Sequence, residues 1–419
     1  MLTLKNEITC LHCWAKFPPE DVLWQSEHRE LLGDPMVGQN AQLRFLANRF
    51  DLQGNAIDAR RQICREIACP NCHLSLPRSL LQREPLFVSI LGTPSCGKSY
   101  YLAALAATLR RTLPAQFKLD ISDADTVSNL SLIEYEEQLF LNKTPEEYVA
   151  LGDLIAKTQL GGTLYNTVTF GNQEIRFPRP FSFLLEPSSD HPNRGKDDRL
   201  KRVLCLYDNA GEHFLPGADS RSAPGTRHLA ESSYLLFVFD PTQDPRWFSA
   251  LRKTDSESNV PLTDGGGRQE GVLREAALRI RSLRGLADGE KYDRPLIVIL
   301  NKVDVWKKML AKGDFNLPFR KNMYGFHSID VSVVLEHSQR LRDLLMSHIP
   351  ELVYSAESFC ERVVYLPVSA LGSAPKFDKR GKGYIRPKRI QPAFVTVPFL
   401  LGLSLVTEGL VSKTADLIP

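Results

Sequence analysis

The stretch GTPSCGKSY, Gly92 to Tyr100, follows the apolar run LFVSIL and decides the fold. Its spacing is a glycine, four residues, then Gly97, Lys98 and Ser99, the pattern of a loop that wraps a phosphate chain. Consecutive backbone N–H groups do the wrapping, so the chain must curl tightly, and Gly92 and Gly97 permit the curl because they lack a Cβ. Lys98 puts a positive charge on the outer phosphates, and the Ser99 hydroxyl suits a Mg²⁺ ion. Between them stand Thr93, Pro94, Ser95 and Cys96; Pro94 stiffens the loop and removes one N–H donor. The helix expected from Tyr100 onward, YYLAALAATLRR, aims its N-terminal dipole at the anion. The loop alone does not separate ATP from GTP.

Working outward, the strand candidates after Arg83 are LFVSIL, TVTF, FSFLL, RVLCLYD, YLLFVFD, PLIVIL and VVYLPVS. Helical patterns lie between several of them. Leu273, Ala277, Ile280 and Leu283 recur at helical spacing before PLIVIL, and Val331, Val334, Leu335, Leu341, Leu344 and Leu345 before VVYLPVS. Alternating β and α predicts a parallel sheet with crossover helices. FSFLL and RVLCLYD, joined by the polar EPSSDHPNRGKDDR (186–199), read as an antiparallel hairpin. That connection and KTDSESNVPLTDGGGRQEG (253–271) read as solvated insertions.

Three further stretches carry chemistry. RVLCLYDNAG ends an apolar strand in Asp208, placed to hold Mg²⁺ opposite Ser99, and Gly211 can offer its N–H to a γ-phosphate. PLIVILNKVD ends in Asn301, Lys302 and Asp304. A carboxylate there accepts hydrogen bonds from the N1–H and exocyclic amine of guanine, a pair that adenine cannot present. Asn301 can bond the base or tie loops together, and the Lys302 stem can lie on the base face. VVYLPVSALG places Ser369, Ala370 and Leu371 after another strand, with the Ala370 N–H available to the guanine carbonyl.

In this order GTPSCGKS, DNAG, NKVD and SAL resemble the four sequence boxes of Ras-like and translation-factor GTPases of the TRAFAC class, over roughly Leu86 to the C-terminus. The resemblance implies a P-loop GTPase fold: a mostly parallel sheet flanked by helices, with one antiparallel strand, here carrying insertions. It implies GTP/GDP and Mg²⁺ as ligands and GTP hydrolysis as the activity. Where that family orients water with a glutamine, Glu212 stands here, followed by His213. Lys98, Glu212 and His213 are the candidate catalytic groups, and slow intrinsic turnover is expected. The threonine that closes over Mg²⁺ is Thr158, Thr163 or Thr167.

The first eighty-odd residues differ in character and hold five of the eight cysteines. CLHC (Cys10, Cys13) and CPNC (Cys69, Cys72) are two C-x-x-C pairs, each able to grip one side of a tetrahedral Zn²⁺. The long gap between them has loop-like and helical character, and His12, Cys64 and His73 are alternative ligands. The expected division is a zinc-ribbon unit over 1–84 and a GTPase domain over 85–419. More narrowly, the chain resembles bacterial double-GTPase-type proteins with an N-terminal zinc ribbon, some associated with multi-protein conflict or stress systems. That implies a protein partner docked through the ribbon.

Composition agrees with a globular protein: 419 residues, 43% hydrophobic, 24% charged. A net charge of +3 does not favour nucleic acid as the main partner. The longest late apolar run, VPFLLGLSLV, is about half the length of a membrane span, and MLTLKNEITC does not read as a signal peptide. A cytoplasmic location with reduced thiols is the expectation. KFDKRGKGYIRPKR (376–389) carries seven positive charges against Asp378, and reads as a solvated basic loop.

Overall fold

The computed structural model describes residues 4–155, 165–195, 198–208, 226–254, 261–262, 268–310 and 314–414. Its centre is a seven-stranded sheet. In chain order the strands are β1 (Glu84–Leu91), β2 (Leu119–Asp123), β3 (Phe181–Pro187), β4 (Arg202–Asp208), β5 (Tyr234–Phe239), β6 (Leu296–Leu300) and β7 (Val363–Pro367). In space they run β2-β3-β4-β1-β5-β6-β7. The contacts of β1 with β4 and β5, of β5 with β6 and of β6 with β7 are parallel. β3 pairs antiparallel with both β2 and β4, so it alone opposes the other six. The hairpin reading of FSFLL and RVLCLYD therefore holds, with Phe181 opposite Leu206.

Strands covered on both faces need apolar side chains at every position. Tyr234–Phe239 and Leu296–Leu300 meet that rule: each residue is buried. β2 obeys a different one. Its sequence, LDISD, alternates buried or half-buried with exposed positions at the sheet edge, which is why the apolar-run criterion passes over it. TVTF departs from expectation in the other sense. It lies in Tyr165–Phe170, which pairs with Gln173–Pro178 as a separate hairpin. Thr169 N–H donates to Met36 O, tying that hairpin to the N-terminal unit.

One face of the sheet is covered by α1 (Lys98–Thr112), α2 (Thr126–Phe140) and α6 (Thr396–Val406). α6 is the VPFLLGLSLV run, buried over Thr396–Ser404, as a helix apolar on all sides must be. The other face is divided. Over β5 and β6 lie α3 (Gln269–Arg284), α5 (Pro350–Phe359), Trp247 and Trp306, and α4 (Val331–His348) packs along the edge strand β7. Over β1 and β4 lies the N-terminal cysteine unit, in one apolar core with Phe87, Val203, Cys205 and Tyr207. The unit thus occupies a layer where a helix would otherwise be needed.

Within the unit, Ser75–Leu76, Ile67–Ala68, Leu23–Gln25 and Arg44–Leu46 form a four-stranded antiparallel sheet. The stretch between the cysteine pairs is mainly β-structured, with one 3-10 turn at Pro19–Asp21: Leu32–Asp34 pairs with Gly38–Gln42, and Ala56–Ile57 with Ile63–Cys64. Strands this short carry no readable periodicity.

Among the described residues both insertions are exposed or half-buried, as expected, apart from a few buried anchors. His191 is buried and its Nε2 lies 3.1 Å from Leu410 O. Gln269 and Glu270 are buried at the start of α3. The basic stretch forms a hairpin, Lys376–Phe377 with Gly383–Ile385, whose second strand pairs with Val149–Ala150. Lys376 and Arg386 lie over the Tyr148 ring, and Lys388 pairs with Glu146 at 2.6 Å.

Candidate functional site

The Gly92–Ser99 loop leaves the C-terminal end of β1 and runs into α1, whose first residue is Lys98. Gly92 has φ +152°, and a Cβ there would sit 2.5 Å from Val238 O and 2.7 Å from Cys96 Sγ. Gly97 has φ +96°, and a Cβ would sit 2.6 Å from Asn301 Nδ2. Both positions require glycine for conformation and for space. Lys98 is buried and curls back into the loop, its Nζ donating to Gly92 O at 2.9 Å and Thr93 O at 2.8 Å. Carbonyl oxygens are weaker partners for an ammonium than an anion is, so the charge is held ready inside the curl. Ser99 Oγ lies 3.3 Å from Asp208 Oδ2, donating to the carboxylate at the tip of β4. Tyr100 OH donates to Leu151 O, and its hydroxyl is shifted upward by burial and by Asp153. Burial raises the Cys96 thiol.

A second group of loops closes on the first. Asn301, buried after β6, donates from Nδ2 to Cys96 O at 3.0 Å. Its Oδ1 accepts from Lys302 N–H at 2.8 Å, holding Lys302 at φ +60°. Trp306 Nε1–H donates to Asn301 O at 2.7 Å and Val303 N–H to Val368 O at 3.0 Å, so the turn is fixed from both sides. Ser369 Oγ donates to Asp304 Oδ1 and accepts from Gly372 N–H at 2.7 Å. Burial pushes the Asp304 carboxyl upward, with the Ser369 bond opposing. Ala370 is buried beside them, and Leu371 packs on the main core.

The Lys302 ammonium lies 2.6 Å from Asp240 Oδ2 and 3.2 Å from Thr242 Oγ1. Asp240 is fully buried at the tip of β5. Its backbone exchanges two hydrogen bonds with the Gln269 amide, at 2.8 and 2.7 Å. Thr93 Oγ1 donates to Gln243 Oε1 at 2.7 Å, and Gln243 Nε2 donates to Pro94 O at 3.0 Å. Asp240, Thr242, Gln243 and Gln269 thus brace the phosphate-type loop, and none was among the sequence candidates. DPTQD after YLLFVF carried a turn signal; Gln269 carried none, because it lies far away in sequence within a polar stretch.

The four cysteines Cys10, Cys13, Cys69 and Cys72 are buried, with all four sulfurs within 4.8 Å of one another. Cys10 and Cys72 Sγ are 3.8 Å apart, Cys13 and Cys69 Sγ 3.7 Å. Tetrahedral Zn–S bonds of about 2.3 Å require sulfur separations of about 3.8 Å, so the cage fits zinc. His12 and Cys13 N–H donate to Cys10 Sγ, and Asn71 N–H to Cys69 Sγ. Burial raises the Cys10 thiol, and hydrogen bonds from the neighbouring thiols lower Cys13. The alternative ligands point elsewhere: His12 to Ser75 O, His73 to Asp34 and Cys64 to Asp58.

Gly211, Glu212, His213, Thr158 and Thr163 lie outside the described residues. Thr167 stands at an exposed position of the Tyr165–Phe170 strand, opposite Arg176. Among the described residues no helix is long and apolar enough to cross a membrane.

No family model matches the chain. It is 24% identical over 242 residues to the "Putative ESX-1 scaffolding and assembly protein SaeC" of Mycolicibacterium smegmatis, covering 58% of this chain and 52% of that protein. The chain thus spans about half the length of this curated relative. Among solved structures it is similar to the GTPase-like domain of S. cerevisiae Ski7 bound to GTP, at 14% identity and a TM-score of 0.29, over 78% of this chain and 51% of that one. It is also similar to Era in complex with MgGDPNP and 16S ribosomal RNA nucleotides, at 14% identity and a TM-score of 0.23, over 80% and 60%.

Proposed function

We propose that the chain is a guanine-nucleotide-binding regulatory protein that hydrolyses GTP slowly. The observation that carries this reading is the bond from Asn301 to the Cys96 carbonyl. It joins the loop suited to phosphate, after β1, to the loop suited to guanine, after β6 on the far side of β5, at the C-terminal edge of the sheet where open α/β sheets bind ligands. In this reading Lys98 and the N–H groups of Thr93 and of Ser95 to Tyr100 hold the phosphates. Ser99 and Asp208 hold Mg²⁺, which neutralises phosphate charge when bound. Asp304 reads the guanine edge with Ser369 orienting it, and Asn301, Lys302 and Ala370 complete the pocket. Gly211 senses the γ-phosphate, and Glu212 or His213 orients water.

Fluorescent GDP and ADP titrations of the full chain with Mg²⁺ test it. GDP should bind about 100-fold more tightly than ADP or better, and Asp304→Asn should abolish the preference, because a buried polar site left unpaired discriminates strongly. Equal binding of ADP and GDP by both proteins would overturn the guanine assignment.

Glu212, at the place where the resemblance implies a glutamine, favours a second reading: a nucleotide-occupied scaffold with negligible turnover, docking protein partners through the cysteine unit. The name of the M. smegmatis relative is in keeping with that role. Single-turnover GTP hydrolysis separates the two readings.

A further inference from the structure

The cysteine unit meets the sheet next to the proposed Mg²⁺ ligand. Tyr207 immediately precedes Asp208 in β4. Neighbouring strand residues point to opposite faces: Asp208 turns to Ser99 and α1, Tyr207 to the cysteine unit. Tyr207 is fully buried, and its hydroxyl donates to Leu11 O at 2.6 Å, inside the Cys10–Cys13 turn. Its ring stacks on His228 at 4.9 Å and 17°, with Trp14 6.0 Å away. His228 Nδ1 lies 2.6 Å from Ser89 Oγ, which lies 2.6 Å from Ser232 Oγ. Ser89 is the register partner of Tyr207, as Ile90 is of Asp208.

The cysteine turn is thus tied to β4 by a hydrogen bond, and β4 to the His228–Ser89–Ser232 hydrogen bonds at β1 by a ring stack, in an otherwise apolar layer. Packing alone does not call for the Tyr207 hydrogen bond, since Phe fills the same volume as Tyr. Buried polar groups cost stability unless bonded, and when bonded they fix one geometry. The Leu11 carbonyl belongs to the turn that Cys10 and Cys13 form, which His12 and Cys13 N–H close by donating to Cys10 Sγ. We infer that Tyr207 is a positioning residue: anchored on the cysteine turn, it sets the carboxylate of Asp208 on the opposite face, so that occupancy of the four-cysteine site controls Mg²⁺-dependent nucleotide binding. This rests on the reading of Asp208 as a Mg²⁺ ligand.

The test uses the full chain loaded with zinc, its Tyr207→Phe variant, a Phe17→Leu variant as control, and wild-type protein stripped of zinc by a chelator that is then removed. Phe17 lies in the same buried core, pairs with Ile8 and makes no hydrogen bond to the Tyr207 hydroxyl. Fluorescent GDP affinity is measured across a Mg²⁺ titration and in EDTA, with zinc content by native mass spectrometry. Tyr207→Phe should raise the Mg²⁺ concentration for half-maximal effect about 5-fold, as expected for one lost buried hydrogen bond. Affinity in EDTA and zinc content should stay unchanged, and Phe17→Leu should leave the Mg²⁺ dependence alone. Hydrogen–deuterium exchange at residues 205–208 should quicken in Tyr207→Phe and in the stripped protein. Identical Mg²⁺ dependence in all four proteins would overturn the inference. Should the wild type bind no GDP, the nucleotide reading fails by itself. Exchange then still decides the anchoring: quickening after zinc removal supports it, and no change at 205–208 sinks it.

Discussion

Gly97 shows how much a single residue must satisfy here. Its backbone sits in the left-handed region, and the Asn301 amide occupies the space a Cβ would need. An alanine would meet both obstacles: a conformation unfavourable by about 1–2 kcal/mol, and displacement of the side chain that joins the two loops. Gly97→Ala should weaken fluorescent GDP binding at least about 10-fold, with the circular dichroism spectrum unchanged; wild-type affinity in the variant would contradict the geometry. The tight curl at this glycine was legible in the sequence, but its second reason was not, because Asn301 lies more than two hundred positions away. Lys302 makes the same point. The spacing of NKVD suggests a stem lying on a base, while its ammonium is in fact paired with Asp240, a residue that spacing could not connect to it.

At the scale of elements, α2 carries a group in the wrong medium. Glu136 faces β2, its Oε1 without a hydrogen-bond partner among the described residues and its Oε2 3.5 Å from Arg110 Nε. Arg110 is bonded more closely to Asp123, at 2.9 Å. Burial, with the Asp123 charge adding to it and Arg110 opposing, raises Glu136 from 4.5 to about 7. The sign follows from which state ionises first. Below about pH 4.5 the carboxyl is neutral in both states, and its contribution to stability is fully present. As the pH rises through 7 the unfolded chain has already released its proton, and that contribution, about 3 kcal/mol from the shift and on the order of 2 once solvent screening of this half-buried group is allowed for, is lost. Glu136→Gln should therefore melt about 2–4 °C above wild type at pH 8 and level with it at pH 5; equal melting temperatures at pH 8 would refute the assignment. The same pair of elements marks the limit of reading structure from pattern. β1 and β4 to β7 announce themselves as apolar runs because both their faces are covered, whereas β2 at the edge needs apolar residues on one side only. The two- and three-residue strands around the cysteines are held by registry and by sulfur, and neither leaves a hydrophobic period.

At the scale of the whole molecule, the cysteine pairs were legible as thiols able to grip one metal ion, but the place of that set in the fold was not. The sequence changes character near Glu84, which suggests a small unit set before a larger one. In the structure the unit supplies one layer over β1 and β4, with Trp14, Phe17, Val22 and Leu80 in one core with Phe87, Val203 and Tyr207. A layer that shares its core with the sheet cannot melt without exposing that sheet to water. Zinc bound to thiolates contributes directly to folding free energy when the cage does not exist in the unfolded chain. Calorimetry of the full chain should accordingly give one unfolding transition, not one for 1–84 and another for the remainder. Cys72→Ser, or extraction of zinc, should lower that whole transition by several degrees instead of detaching a small early one. Two separated transitions, the larger unmoved by zinc removal, would mean that the sheet does not depend on the cysteine unit. The contacts of Phe87 and Tyr207 with it would then be surface packing, and the layer over β1 and β4 dispensable.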